Sequence, residues 1–123
     1  MKLWATLLLS TTLSVSALAG LPDAIKAFDK AEYETAYPEM MALAGEGNPE
    51  AAYYMGKMYH DGLGVEADIN KALQYFEQAD KGYYSAATVQ LGKMALEGTG
   101  MTQNKDLGIQ YLKKAAYAFA CLS

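Results

Sequence analysis

Two stretches of the chain decide its fold: AAYYMGKMYHDGLGVEADINKALQYFEQADK (Ala51–Lys81) and ATVQLGKMALEGTGMTQNKDLGIQYLKKAAY (Ala87–Tyr117). They align with an offset of 36 residues, and nine of the 31 pairs are identical. The identical pairs are Ala51/Ala87, Gly56/Gly92, Lys57/Lys93, Met58/Met94, Gly62/Gly98, Gly64/Gly100, Gln74/Gln110, Tyr75/Tyr111 and Ala79/Ala115. A period of this length is the sequence signature of a solenoid, in which each unit buries its apolar face against its neighbour.

The first half of each copy predicts an amphipathic helix. Its apolar positions follow the i, i+3, i+4, i+7 spacing of one helical face. These positions are Ala52, Met55, Gly56 and Tyr59 in the first copy and Thr88, Leu91, Gly92 and Ala95 in the second. A glycine inside a helix costs about 1 kcal/mol relative to alanine. Because Gly56 and Gly92 share one phase, we expect a neighbouring helix to pass too close for a Cβ.

Glycine and N-cap residues also predict the turn and the second helix of each copy. The first helices should end at Gly62-x-Gly64 and Gly98-x-Gly100, because glycine adopts the left-handed backbone conformation at little cost in free energy. The second helices should begin after Asp68 and Asn104, which are favourable N-cap residues. Each copy is therefore one helical hairpin.

The N-terminal region predicts a signal peptide followed by a more divergent hairpin. A charged Met1-Lys2 start, an uncharged Leu3–Val15 segment and the Ala17-Leu18-Ala19 sequence form a secretory signal. We expect cleavage after Ala19 and a periplasmic or secreted protein without stable membrane insertion. Two helices are then expected in 21–31 and 33–44, the second beginning or kinking near Pro38.

The motifs of the first copy resemble a Sel1-like repeat, a relative of the tetratricopeptide repeat. The resemblance is carried by Ala51-x-x-x-Met55-Gly56-x-x-Tyr59, then Gly62-x-Gly64-Val65, Asp68, Lys71-Ala72 and Tyr75. It implies an all-α fold, a right-handed α–α superhelix of about three hairpins, that mediates protein–protein interaction. The predicted segments are a signal peptide (1–19), a degenerate N-terminal hairpin (20–48), two repeats (49–82 and 83–117) and an apolar C-terminal tail (118–123).

The resemblance also suggests a binding surface, because the first helices of tetratricopeptide-like solenoids line the concave face. Tyr53, Lys57 and His60 form an i, i+4, i+7 row away from the buried stripe. Val89, Lys93 and Leu96 continue that row one repeat later. We expect these six residues to contact a protein or peptide partner, with an ordinary exposed helix face as the alternative. Tyrosine is an efficient interface residue, since it offers a large area for few torsions.

Composition excludes several other classes of function. The 123-residue chain has ten Lys, no Arg and fourteen acids, a net charge of −4, so it is a poor candidate for nucleic-acid binding. One Cys and one His provide no zinc framework, and we expect no metal or other cofactor. Gly62–Ala67 fits the dinucleotide motif G-x-G-x-x-A, but it follows an amphipathic helix instead of the strand that this motif requires.

Two alternatives to a non-catalytic adaptor remain at the level of sequence. His60 beside Asp61 could form the base of a small secreted hydrolase, but no Ser or Cys lies near in sequence, which favours a solvated His at a helix end. The apolar segment Ala115–Leu122 could instead make the protein a structural subunit that self-associates through its C-terminal tail. Cys121, the only thiol, is expected to be buried or inert, with an intermolecular disulfide as the alternative.

Overall fold

Six helices and no strand make up residues 20–122, the part of the chain that the computed structural model describes. The predicted signal peptide and its cleavage site after Ala19 lie outside these residues. The helices are α1 (Gly20–Asp29), α2 (Tyr33–Gly45), α3 (Pro49–Asp61), α4 (Ile69–Lys81), α5 (Ser85–Glu97) and α6 (Lys105–Leu122). Their principal contacts join consecutive helices, so three hairpins stack in chain order. The predicted all-α solenoid is confirmed.

The predicted helical stripes are buried. In α3 and α5 every stripe position is buried, and α4 adds Ala72, Phe76 and Ala79 to the same core. Ile109 of α6, which aligns with the half-buried Leu73 of α4, is exposed. No described helix follows α6 to cover that position. None of the helices in residues 20–122 is long and apolar enough to cross a bilayer.

Gly56 and Gly92 lie where the second helix of the same hairpin leaves no room for a Cβ. A Cβ on Gly56 would stand 2.6 Å from two ring carbons of Phe76. A Cβ on Gly92 would stand 3.0 Å from Leu112 Cδ2 and 3.3 Å from the carbonyl oxygen of Gly108. Phe76 and Leu112 are themselves aligned residues of the repeat. The two glycines therefore have equivalent surroundings, as the alignment requires.

The turns inside the two repeats are also equivalent. Gly62 and Gly98 end α3 and α5 in the left-handed region, with φ of 68° and 75°. Gly64 and Gly100 follow with φ of 73° and 72°. A Cβ on Gly64 would collide with Tyr33, and one on Gly100 with Ile69, so each turn packs on the preceding hairpin. Side chains could occupy neither position without strain.

The predicted N-caps are confirmed. Asp68 Oδ1 accepts a hydrogen bond of 3.1 Å from the backbone N–H of Lys71. Asn104 Oδ1 accepts one of 3.0 Å from the N–H of Leu107. Each side chain satisfies an N–H group that the first helical turn leaves unpaired.

The prediction that α2 begins near Pro38 is wrong. The helix begins at Tyr33 and continues through Pro38 to Gly45. Its first turn is closed by bonds from the N–H groups of Thr35 and Ala36 to the carbonyl of Glu32, which do not involve proline. Packing of Ala36 and Met40 in the core supplies the stabilisation that offsets the bond lost at Pro38.

Polar contacts tie each hairpin to the one before it. Gln78 Nε2 donates to the carbonyl oxygen of Ala44 at 2.8 Å. One repeat later, Lys114 Nζ donates to both carboxylate oxygens of Asp80 at 2.8 and 2.9 Å. Asp80 also accepts a bond of 2.5 Å from the hydroxyl of the buried Thr88. The two helix-to-helix bonds use aligned positions, so the stacking interaction itself is repeated.

Candidate interaction surface

The first-helix face is the surface formed by α1, α3 and α5, and on α3 it includes Tyr53. Its ring centroid is 5.6 Å from Tyr54, 5.9 Å from Phe76 and 5.1 Å from Tyr84. Tyr53 is half-buried, so one side of the ring packs in the molecule while the rest faces solvent. Aromatic pairs at these separations hold their rings in place. Tyr53 is therefore a pre-organised part of this surface.

Lys57 lies on two aromatic rings. Its ammonium nitrogen is 5.4 Å from the ring centroid of Phe28 and 5.8 Å from that of Tyr53. Both distances fall within the range of a cation–π interaction. No carboxylate of residues 20–122 forms an ion pair with Lys57. Its charge remains available to a negatively charged group of a partner.

His60 lines a small pocket between two repeats. The pocket has a volume of about 100 Å³ and is formed by Lys57, His60, Asp61, Phe76 and Gln90. His60 Nδ1 and Asp61 Oδ1 are 2.7 Å apart, so this carboxylate orients the imidazole ring. The pocket residues include no hydroxyl or thiol that His60 could activate. The arrangement suits polar contact with a ligand rather than nucleophilic catalysis.

The α5 half of the predicted row, formed by Val89, Lys93 and Leu96, is less well gathered into one site than the α3 half. Lys93 is exposed and Val89 is half-buried. Leu96 Cδ2 lies 2.6 Å from where a Cβ on Gly108 would stand, so this side chain packs on α6 within its own hairpin. The structure places Lys57 and His60 at one pocket, with the Tyr53 ring beside Lys57. It gives Leu96 a packing contact with its own hairpin.

Burial and a nearby carboxylate shape the titration of Tyr84, which borders Tyr53. Desolvation, followed by the negative charge of Glu50, raises the pKa of Tyr84 to about 12. The Tyr84 hydroxyl donates to Glu50 Oε1 at 3.4 Å. Desolvation first, and then Asp29, also raises the pKa of Tyr54. Both phenols stay neutral at physiological pH, so they offer hydrogen bonds and apolar area.

Sequence reasoning missed Phe28, Tyr84 and Gln90 at this surface. Phe28 lies in the helix expected in 21–31, and nothing in its local sequence shows that its ring meets both Lys57 and Tyr54. Tyr84 and Gln90 belong to the next repeat. Each comes within reach of α3 only because the hairpins stack, and no local sequence signal marks such contacts.

Nothing in residues 20–122 resembles a metal centre, since no group of three His, Cys, Asp or Glu side chains is clustered there. Cys121 was expected to be buried or inert; burial is wrong, because the residue is exposed, and its reactivity stays a prediction. Helix α6 has 18 residues and its partner α5 has 13.

Comparison with known proteins agrees with this architecture. The solved Sel1 repeat protein of Oxalobacter formigenes superposes with a TM-score of 0.75 and is 28% identical, over 80% of this chain and 40% of that one. A protective antigen of uropathogenic Escherichia coli gives a TM-score of 0.67 at 28% identity, over 69% of this chain and 18% of its own. Cysteine rich protein B of Helicobacter pylori shares the fold, with a TM-score of 0.73 at 16% identity, over 89% and 87% of the two chains.

Among curated sequences, the human protein sel-1 homolog 2 is 33% identical over 75 residues, or 61% of this chain. The chain spans only 11% of the length of that relative. Sel1 repeat proteins are generally non-catalytic scaffolds that bind protein partners. The profile of the Sel1 repeat matches residues 49–79 and 85–118, more than half of the chain. The chain therefore belongs to the Sel1 repeat family.

Proposed function

We propose that this protein is a non-catalytic adaptor that acts in the periplasm or outside the cell and holds a segment of a protein partner on its first-helix face. The observation that carries the proposal is the position of Lys57 on the rings of Phe28 and Tyr53. This arrangement combines a fixed aromatic area with a positive charge that no described carboxylate neutralises. In a chain of net charge −4, it favours a partner segment that carries carboxylates beside an apolar side chain.

The proposal is tested by charge reversal on this face. The double variant Lys57→Glu, Lys93→Glu should lose partner capture from the envelope fraction of the cells that make the protein. The matched control, Lys81→Glu with Lys113→Glu, changes the net charge equally at two exposed positions on the second helices α4 and α6. Thermal melts of both variants establish that they remain folded. Equal capture by the two double variants would refute the role of this face.

Export is a separate part of the proposal and rests on the Met1–Ala19 sequence. When the full chain is made in a bacterium, the exported protein should begin at Gly20. N-terminal sequencing of the periplasmic or medium fraction measures this directly. Retention of the intact chain in the cytoplasm would contradict it.

A second candidate function is self-association through the end of α6. Tyr117 is 72% exposed and Phe119 is 55% exposed, which is unusual for two large apolar side chains on the last described helix of a solenoid. If they form a contact between copies, Tyr117→Ser with Phe119→Ser should convert an oligomer to a monomer in light scattering. A wild-type protein that is monomeric at high concentration would exclude this function.

A further inference from the structure

A second groove, separate from the first-helix face, lies between α2 and α4. We name it the tyrosine groove. It has a volume of about 500 Å³, and its lining includes Tyr37, Met41, Tyr59, Lys71, Gln74 and Tyr75. None of these residues belongs to the six predicted to contact a partner, and Tyr59 was predicted only as a structural repeat position. The groove therefore needs an explanation of its own.

The aromatic rings of the tyrosine groove form a notch with nearly perpendicular walls. Tyr75 stacks on Tyr59 with a centroid distance of 5.8 Å and an interplanar angle of 6°. Tyr37 meets Tyr59 edge-on at 6.3 Å and 76°. Tyr59 is only 8% exposed, so the half-buried Tyr37 and Tyr75 are the rings that a ligand can touch. A notch between crossed rings fits a compact, rigid apolar ring better than a flat one.

The same groove presents hydrogen-bond donors that have no partner within the described chain. The hydroxyl of Tyr75 and the side-chain amide of Gln74 make no hydrogen bond to residues 20–122. The hydroxyls of Tyr37 and Tyr59 are 2.8 Å apart, so one donates to the other and one proton is left to offer. A ligand rich in unpaired carbonyl groups would satisfy these donors. A polyproline II segment is such a ligand, because its backbone carbonyls form no internal hydrogen bonds.

The tyrosine groove continues into an acidic region. An adjoining cavity of about 470 Å³ shares Tyr59 and Lys71 with it and is also lined by Glu66 and Asp68. One oxygen of Asp68 caps α4, and the other has no hydrogen-bond partner in residues 20–122. The Lys71 ammonium lies 5.2 Å from the Tyr59 ring centroid, and two carboxylates oppose its one charge. Glu66, Asp68 and Lys71 together carry a net charge of −1, which favours a basic residue on the ligand.

We propose that the tyrosine groove binds a proline-rich segment of a protein partner in the polyproline II conformation, with a Lys or Arg beside the prolines. Pyrrolidine rings fill the notch between Tyr37 and Tyr75, while Gln74 and the tyrosine hydroxyls donate to the ligand carbonyls. The basic side chain reaches Glu66 and Asp68. Aromatic-lined grooves recognise proline-rich peptides in this way because the ligand loses little entropy on binding.

Calorimetric titration of the folded protein tests the proposal with three synthetic peptides of equal length. The first repeats Pro-Pro-Ala and ends in Lys-Lys, the second ends in Glu-Glu, and the third replaces every proline by serine. We expect the first to bind about tenfold more tightly than the second, and the third to show no binding. Tyr75→Ala should lower the affinity for the first peptide by about tenfold, because a packed aromatic contact is lost.

Charge variants keep the test independent of packing. Glu66→Lys, at an exposed position, should remove the preference for Lys-Lys over Glu-Glu, whereas the matched variant Glu97→Lys on α5 should preserve it. Tyr75→Phe keeps the ring and loses only the hydroxyl. If Tyr75→Ala does not fold, the affinity of Tyr75→Phe for the first peptide is measured instead. Equal binding of the serine peptide, or binding of an oligosaccharide but not of the proline peptides, would overturn the proposal.

Discussion

Replacement of Gly56 by alanine tests the close packing on which the repeat depends. Alanine would raise helix propensity, which by itself stabilises α3 by about 1 kcal/mol. The new methyl group would stand 2.6 Å from two ring carbons of Phe76, where carbon atoms prefer about 3.5–4.0 Å. The ring would have to move by about 1 Å, the difference between these separations.

The ring has nowhere to move without disturbing the core, because Phe76 is 1% exposed. Overpacking of this kind costs about 1–3 kcal/mol. With the gain in propensity subtracted, we expect Gly56→Ala to lower the free energy of unfolding by up to about 2 kcal/mol. For a domain of this size each 1 kcal/mol corresponds to about 4–8 °C in Tm.

Urea unfolding followed by circular dichroism measures the effect, and the chain supplies a matched control. Gly45, at the end of α2, has no atom within 4 Å of where its Cβ would stand, so Gly45→Ala should be neutral or stabilising. Phe76→Leu would reproduce the Gly92/Leu112 pairing of the second repeat and should reduce the penalty of Gly56→Ala in a double-mutant cycle. If Gly56→Ala stabilised the protein by the full gain in helix propensity of about 1 kcal/mol, the close-contact explanation would be refuted.

Three further predictions concern a turn, a hydrogen bond and a helix cap. Tyr83 has φ of 64° and is 87% exposed, so Tyr83→Gly should relieve left-handed strain without losing a contact and raise stability by about 0.5–1 kcal/mol in thermal melts. The hydrogen bond between the Tyr59 and Tyr37 hydroxyls, together with burial, raises the pKa of Tyr59 to about 12 from its ordinary value of 10.0. Stability should therefore be complete below pH 10 and fall between pH 10 and 12, where only the unfolded state has lost the proton; a flat profile across this window in chemical unfolding would contradict the assignment. Asp68→Ala should cost about 1 kcal/mol in urea unfolding, because the N–H of Lys71 loses its cap, and Asp68→Asn should retain most of that energy.

The internal repeat made much of the fold predictable. The glycine spacing placed the ends of α3 and α5, and the polar residues Asp68 and Asn104 placed the beginnings of the second helices. These features depend on backbone conformation within a few residues, which sequence pattern reports well. At Pro38 the same reasoning failed, because the tertiary packing of α2 outweighed a local preference.

The candidate site was less predictable than the fold. The spacing of Tyr53, Lys57 and His60 put three side chains on one helix face, and the structure gathers them. It could not show that Phe28 lies under Lys57, or that Gln90 closes the pocket beside His60. The strain at Tyr83 was also not predicted, because the geometry of the turn between hairpins sets its left-handed conformation, as it does for Gly47 one repeat earlier.

The bonds from Gln78 to Ala44 and from Lys114 to Asp80 each reach back 34 residues. With the principal contacts confined to consecutive helices, cooperativity passes only between adjacent hairpins, as along a one-dimensional chain. Folding of such a molecule can begin in one hairpin and spread to the adjacent hairpins, and unfolding begins at the ends of the stack. The middle hairpin, held on both sides, should then exchange its amide protons last, and the α6 end should open first.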